Sequence, residues 1–466
     1  KTLKPNVILS KSICYSTRRP LMMRVNTTHT KVITKKNLAL GGIFFGSLYQ
    51  YTIIRDLKDV MLLSQCGAEV IPFLKTWVNF PLSVGFLYCY QKLSTILTDK
   101  QLYTVVYSVV SIIYAILGIC LYPNSKFITD YLGFPIINNI IVTLFYSLSS
   151  VWGSGIVSLL FWSLANRFTK VCEAKRLYPL IGFVANSSLI LSGSVIKKTT
   201  SLNIPWTSSV MYLMSSCLFF NALVLFLQHF LENNYNEIKT KPKKQKQKIS
   251  FVKGIKNMMQ NPVIFNMTLM VTCYGLSINL FEVVWKAHMK QVFVSSMDMC
   301  AFLGSVSMYK GIITMIAMIA SSYILPKIPW VFPAMTTPVV MLVLNIIFFA
   351  WMNMNPINSG IMTATIGAVV IVFSKSSKYA LFDPCKELVY IPLNDDERRL
   401  GKSTVDVISN PLGKSGGSLL QQFLILTYGS VMNCVNCIFV LLVSSLSIWI
   451  SSVININKRL HSKLDN

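Results

Sequence analysis

Gly413-Lys414-Ser415 has the core of a phosphate-binding loop, and Gly401-Lys402-Ser403-Thr404 repeats it just upstream. A nucleotide-hydrolysing loop reads G-x-x-x-x-G-K-[ST], because the first glycine starts the turn whose backbone N–H groups cradle the phosphates. Ile408 and Asp396 stand where that glycine is required, and Asn410-Pro411 interrupts the approach to the second copy. The chain is therefore expected not to be an enzyme. Lys414 needs another explanation.

Other ionisable residues also lie in apolar surroundings, where each costs about 2.5–3.5 kcal/mol at membrane depth. "YTIIRDLKDVMLL" holds Arg55, Asp56, Lys58 and Asp59. Arg55 and Asp59 are spaced to pair on a helix, which leaves Lys58 available. "AEVIPFLKTWVNFP" puts Lys75 and Asn79 on one face; Lys75 either contacts a ligand or snorkels to the headgroups. In "CYGLSINLFEVVWKAHMK", Asn279, Glu282 and Lys286 share a helix face. Glu282 either pairs with Lys286 or acts as a coupling or gating carboxylate. Lys310, in "SMYKGIITM", is an isolated positive charge. Asp406, Asn410, Lys414 and Gln421 make a polar stripe with Gly413 and Gly417 on the same side. Pro411 and the glycines predict a broken helix that lines a water-filled path; a close helix crossing eased by glycine is the alternative.

The elements that must hold these groups are apolar. Of 466 residues, 53% are hydrophobic and only 13% charged, against about a quarter charged in a soluble domain; mean hydropathy is +0.55. Such a chain clothes a lipid-facing surface, not a water-facing one. A membrane-crossing helix needs about 20 mostly apolar residues. The candidate spans are 38–54, 69–90, 103–122, 136–165, 177–196, 206–231, 262–284, 299–324, 330–352, 360–374, 403–430 and 431–453. The expected architecture is thus an all-α polytopic membrane protein with twelve transmembrane helices in two six-helix halves, major facilitator-like. Its parts are a basic tail (1–37), a first half (38–231), a basic linker (232–261), a second half (262–453) and a C-terminal tail (454–466).

The net charge of +26 would suggest a nucleic-acid partner in a soluble protein. Here its distribution matters more. With even span number the two termini share a side, and 33 Lys and Arg fall in the tails and loops of that side against seven opposite. Both termini are expected in the cytoplasm, and the Lys run of the linker is expected to meet anionic headgroups, not nucleic acid. The acid-free N-terminal tail also suits an organelle transit segment. The 11 cysteines are scattered, Cys434 and Cys437 forming the one close pair, and the four histidines are far apart. No metal or cofactor is expected.

A cavity holding Lys58, Lys75, Lys310 and Lys414 with few carboxylates suits a polyanion, and phosphate esters are the natural class. Aromatic residues such as Tyr146, Trp152 and Trp162 could offer a base a stacking face. The runs "IIRDLKDVMLL", "GAEVIPFLKTWVNFP", "SVWGSGIVSLLFWSLANRFT", "EAKRLYPLIG", "NLFEVVWK", "FSKSSKYALFDPCKELVYIPL" and "GKSTVDVISNPLGKSGG" carry a resemblance. In order, over about residues 38 to 450, they resemble the non-mitochondrial ATP/ADP carriers of plastids, obligate intracellular bacteria and microsporidia. The resemblance implies twelve spans, a major facilitator-like fold, and exchange of ATP for ADP as transported substrates; some members instead import several nucleotides with protons. It implies functional roles for Lys58, Glu282 and Lys414, with Lys75 in a matching motif. Ser150 stands where family members commonly carry a glutamate, which leaves the coupling mode open. That loss, with abundant Asn, Lys and Ile, points to a microsporidian member. The expected substrate-binding set is Lys58, Lys75, Glu282, Lys310, Asn410 and Lys414, in a monomer surrounded by membrane lipids. The parasite plasma membrane is its expected location, an organelle inner membrane the alternative.

Overall fold

The computed structural model describes residues 34–125, 136–169, 171–235, 261–354, 360–390, 409–462 and isolated positions between 393 and 405. The N-terminal tail and most of the basic linker lie outside them.

Twelve long helices make up the described chain. They are α1 (Lys35–Cys66), α2 (Val70–Ile96), α3 (Asp99–Leu121), α4 (136–168), α5 (Val171–Thr200) and α6 (Trp206–Asn234). The second set is α7 (Pro262–Val292), α8 (Ser296–Ile324), α9 (Val331–Met354), α10 (Gly360–Val389), α11 (Asn410–Tyr428) and α12 (Val435–Ser462). Ten are long and apolar enough to cross a membrane. The two that fall short, α1 and α11, carry much of the candidate site.

Local sequence starts and stops these helices. Thr98 and Gln101 form a capping box at α3, and Asn261 accepts from the Val263 and Ile264 amides at α7, satisfying backbone donors that a helix leaves open. Gly67 and Gly429 follow α1 and α11 at φ of 81° and 82°, a left-handed region that favours glycine. Four helices contain π-helical segments: Leu74–Asn79 in α2, Ile116–Leu121 in α3, Trp152–Leu160 in α4 and Lys378–Phe382 in α10. Such widened turns often mark functional positions.

Packing follows the small residues, as expected where lipid supplies no hydrophobic drive between helices. In the first set α1 packs on α4, α5 and α6; in the second, α7 packs on α10, α11 and α12. The two sets meet where α5 crosses α8. A methyl group on Gly193 would lie 2.4 Å from the Gly304 carbonyl oxygen, so the helices touch backbone to backbone.

Three expectations change. First, α1 continues well past residue 54, to Cys66, because its charges find partners on neighbouring helices and the backbone ladder need not stop. Second, α10 continues past 374 to Val389, which moves Lys375 and Lys378 from a loop into a helix. Third, α11 is unbroken from Asn410 to Tyr428. Pro411 occupies its first turn, where a missing N–H costs little. Gly413 lies against the α7 backbone, its added methyl 2.6 Å from the Thr272 carbonyl, and Gly417 lies against Asn279. The close helix crossing, not a break, explains these glycines.

Candidate functional site

The longer helices bring the charged residues of both sets to a common level. Arg55, Asp56, Lys58 and Asp59 lie in the second half of α1, and Asn279, Glu282 and Lys286 in the second half of α7. Lys310 and Lys375 lie near the middles of α8 and α10.

Most ion pairs of the cluster are made between helices or with chain neighbours; Lys378 and Asp383 pair within α10, five residues apart, across its π-helical segment. Asp59 accepts from Lys58 at 2.8 Å and from Lys286 of α7 at 2.8 Å. Arg55 instead pairs with Asp56 at 2.9 Å, and Ser307 of α8 bridges them, accepting from Arg55 at 2.7 Å and donating to Asp56 at 2.6 Å. Glu282 pairs with Lys375 at 2.6 Å, and Lys378 with Asp383 at 2.7 Å. Both pairings expected from spacing alone, Arg55 with Asp59 and Glu282 with Lys286, are thus replaced. The reason is physical: long side chains at membrane depth adopt the partner that neutralises the most charge, wherever it is in the chain.

Lys58 is accordingly not available as a free cation. Its ammonium is held by Asp59 and lies 3.9 Å from the centre of the Tyr146 ring. Lys75, in the π-helical segment of α2, donates to the side-chain oxygen of Asn279; it reaches inward to the other helix set and does not snorkel. Asn279 donates in turn to the Lys414 carbonyl at 2.9 Å and to Ser418 at 3.0 Å. Gln421 donates to the Asn279 carbonyl at 2.9 Å and is fully buried. A short network therefore joins α2, α7 and α11.

Two lysines stand apart. Among the described residues, neither the ammonium of Lys310 nor that of Lys414 makes an ion pair or a hydrogen bond. Lys310 is buried, while Lys414 is exposed and has Lys378, Glu282 and Lys375 as its neighbouring charges. The Asn410 and Asp406 side chains lie outside the described residues, and Gln421 faces α7, so Lys414 alone of the stripe is seen to project into open space. Counting the cluster from Arg55 to Lys414, cations outnumber carboxylates two to one. The surplus falls on Lys75, Lys310, Lys414 and one of the two lysines that share Asp59.

Sequence reasoning paired Asp59 with Arg55 and Lys286 with Glu282, and missed both the contact of Asp59 with Lys286 and Lys375 as the partner of Glu282. Lys375 follows the apolar run 360–374 directly, and a span boundary drawn at the first charge excluded it. The aromatic residues expected to offer stacking faces are occupied. Tyr146 and Trp152 are each 1% exposed, and Trp162 packs edge-on against Phe44, Phe161 and Tyr178. Ser150 donates to the Ser147 carbonyl at 2.7 Å.

Besides the α5–α8 crossing, which runs from Gly193 and Gly304 to Gly182 and Met318, a group of polar contacts joins the two helix sets at one end of the bundle. Lys286 meets Asp59, Lys290 donates to the Ser64 carbonyl at 2.8 Å, and Gln422 of α11 donates to the Pro72 carbonyl and to Thr76 of α2. Beyond Phe80, by contrast, α2 buries no side chain. The site is roofed at the end where α1 and α7 finish.

Residues 22–460 match the family described as TLC ATP/ADP transporter. The chain is 38% identical to ADP,ATP carrier protein 2, chloroplastic, of Arabidopsis thaliana, over 90% of this chain and 73% of the relative. It is 34% identical to ADP,ATP carrier protein 1 of Chlamydia trachomatis, over 91% and 88%. Among solved structures, a bacterial homologue of the iron transporter ferroportin in an inward-facing state superposes with a TM-score of 0.63 at 11% identity, covering 91% of this chain and 98% of that one. The nucleoside transporter NupG superposes with a TM-score of 0.58 at 10% identity, over 91% and 99%. At such identities these two report the fold alone, that of a major facilitator-like transporter. With nearly its whole length matched, the chain belongs to the TLC ATP/ADP transporter family.

Proposed function

We propose that this protein exchanges ATP for ADP across a membrane by alternating access, importing ATP. The observation that carries the reading is the surplus of ammonium groups between the two helix sets. Lys310 and Lys414 have no partner among the described residues, and Lys75 has only the neutral Asn279. Its relatives' names supply the substrate: ADP,ATP carriers of plastids and bacteria. A polyphosphate would neutralise these lysines. Rocking of the two sets about the site would then expose it on either side. The empty carrier crosses slowly, because uncompensated charges repel in a low-dielectric cleft. Lys58, Lys75, Glu282, Lys310, Asn410 and Lys414 remain the proposed substrate-binding set, with Lys58 and Glu282 acting through their ion pairs. A proton-coupled mode would require the Glu282–Lys375 pair to break before Glu282 could carry a proton. The two termini are placed in the cytoplasm on the Lys and Arg distribution, and the protein in a parasite plasma membrane.

The test is uptake of labelled ATP into proteoliposomes. Internal ADP is expected to raise uptake sharply; uptake indifferent to internal nucleotide would sink the exchange reading. Lys414→Ala is expected to flatten the competition ranking of ATP, ADP and AMP. An unchanged ranking would assign Lys414 a packing role.

A further inference from the structure

Most aromatic rings near the cationic cluster are already engaged. Tyr146 carries Lys58 on its ring, and Tyr274 packs against Phe382 and Trp449. Tyr379 of α10 differs: it is 46% exposed, between Ser376 and Ala380, which are each 1% exposed.

That exposure does not face lipid. The Tyr379 side chain lies close enough to Tyr274 of α7, Lys375 and Lys378 to interact electrostatically with each, so it turns toward the cationic cluster. Its neighbours fix the direction. Lys375, one turn earlier, reaches Glu282 of α7, and Ser376 hydrogen-bonds Thr314 of α8 at 2.9 Å. A side chain between these two directions projects into the space shared by α7, α8 and α10. The π-helical segment Lys378–Phe382 begins at this point. The Lys378 ammonium lies over the ring, 4.7 Å from its centre, and is also 5.4 Å from the Tyr274 ring. Lys378 is in turn among the charges nearest Lys414.

From this geometry we infer that Tyr379 is the platform on which the nucleobase of the transported nucleotide stacks, while the phosphates extend toward Lys414. The inference rests on the nucleotide-carrier reading and adds a base subsite to its phosphate subsite. Lys378, tied to Asp383 at 2.7 Å, holds one side of the ring and leaves the other for the base. A tyrosine face takes any purine, and by itself discriminates bases weakly.

The experiment compares two inhibitors of labelled ATP uptake in reconstituted wild type, Tyr379→Ala and Tyr379→Phe. Unlabelled ATP has both a base and phosphates; inorganic tripolyphosphate has phosphates only. Tyr379→Ala is expected to weaken inhibition by ATP about tenfold and to leave inhibition by tripolyphosphate unchanged, which also shows that the variant is folded. Tyr379→Phe is expected to match wild type for both. Equal weakening of both inhibitors, no change in either, or a Phe variant as impaired as the Ala variant would overturn the base subsite. Wild type that takes up no ATP at all would instead overturn the carrier reading, and the base subsite with it.

Discussion

Asp59 is the acceptor for two ammonium groups, one from its own helix and one from α7, each at 2.8 Å. At an effective dielectric of about 20, each contact is worth about 6 kcal/mol of gross Coulomb attraction, most of it offset by desolvation. Asp59→Asn keeps the shape and removes the charge, so Lys58 and Lys286 face each other uncompensated. Breaking a buried pair from one side costs about 3–5 kcal/mol. Lys286→Met removes less, since Asp59 keeps Lys58; the loss of one charged hydrogen bond predicts about 1.5–3 kcal/mol. The double variant removes the surplus ammonium again and is expected to recover about 1–3 kcal/mol relative to Asp59→Asn. Equilibrium unfolding of the four proteins in mixed detergent, followed by tryptophan fluorescence, measures this cycle. The discriminating result is the sign of the second step. If the double variant is less stable than Asp59→Asn, and the two costs add to within about 0.5 kcal/mol, the shared-acceptor argument is wrong.

Two further predictions concern residues that spacing alone could not sort. Lys310→Met replaces a buried ammonium lacking a described partner with an apolar chain of similar length. It is expected to raise unfolding stability by about 1–3 kcal/mol while lowering ATP uptake; lower stability would show that Lys310 is a structural residue. Gly413→Ala is expected to cost about 1–3 kcal/mol by overpacking against the Thr272 carbonyl. Gly416→Ala meets nothing within 4 Å and is expected to be neutral or to stabilise α11 by up to about 1 kcal/mol. Equal effects of the two substitutions in the same unfolding assay would refute the α7–α11 crossing as described.

The membrane class, the number of long helices and the need for an anionic ligand were legible in the residues themselves. Each depends on composition over a local window: apolar length sets a span, and charge inside apolar sequence demands a partner whatever the fold. Helix ends were less legible. Hydropathy falls at Arg55 and Lys375, but helical hydrogen bonding does not, because the charges are met from other helices. The failed phosphate-loop spacing around Lys414 pointed away from hydrolysis, yet the glycines beside it suggested a break that α11 does not have. Only the tertiary structure assigned the partners: Asp59 to Lys286, Glu282 to Lys375, Lys75 to Asn279. Those contacts join residues more than ninety positions apart, and electrostatic attraction acts through space without regard to chain order. The same holds for vacancy. Lys58 and Lys414 look alike in sequence, but which of them has an open ammonium depends on whether a carboxylate is folded against it.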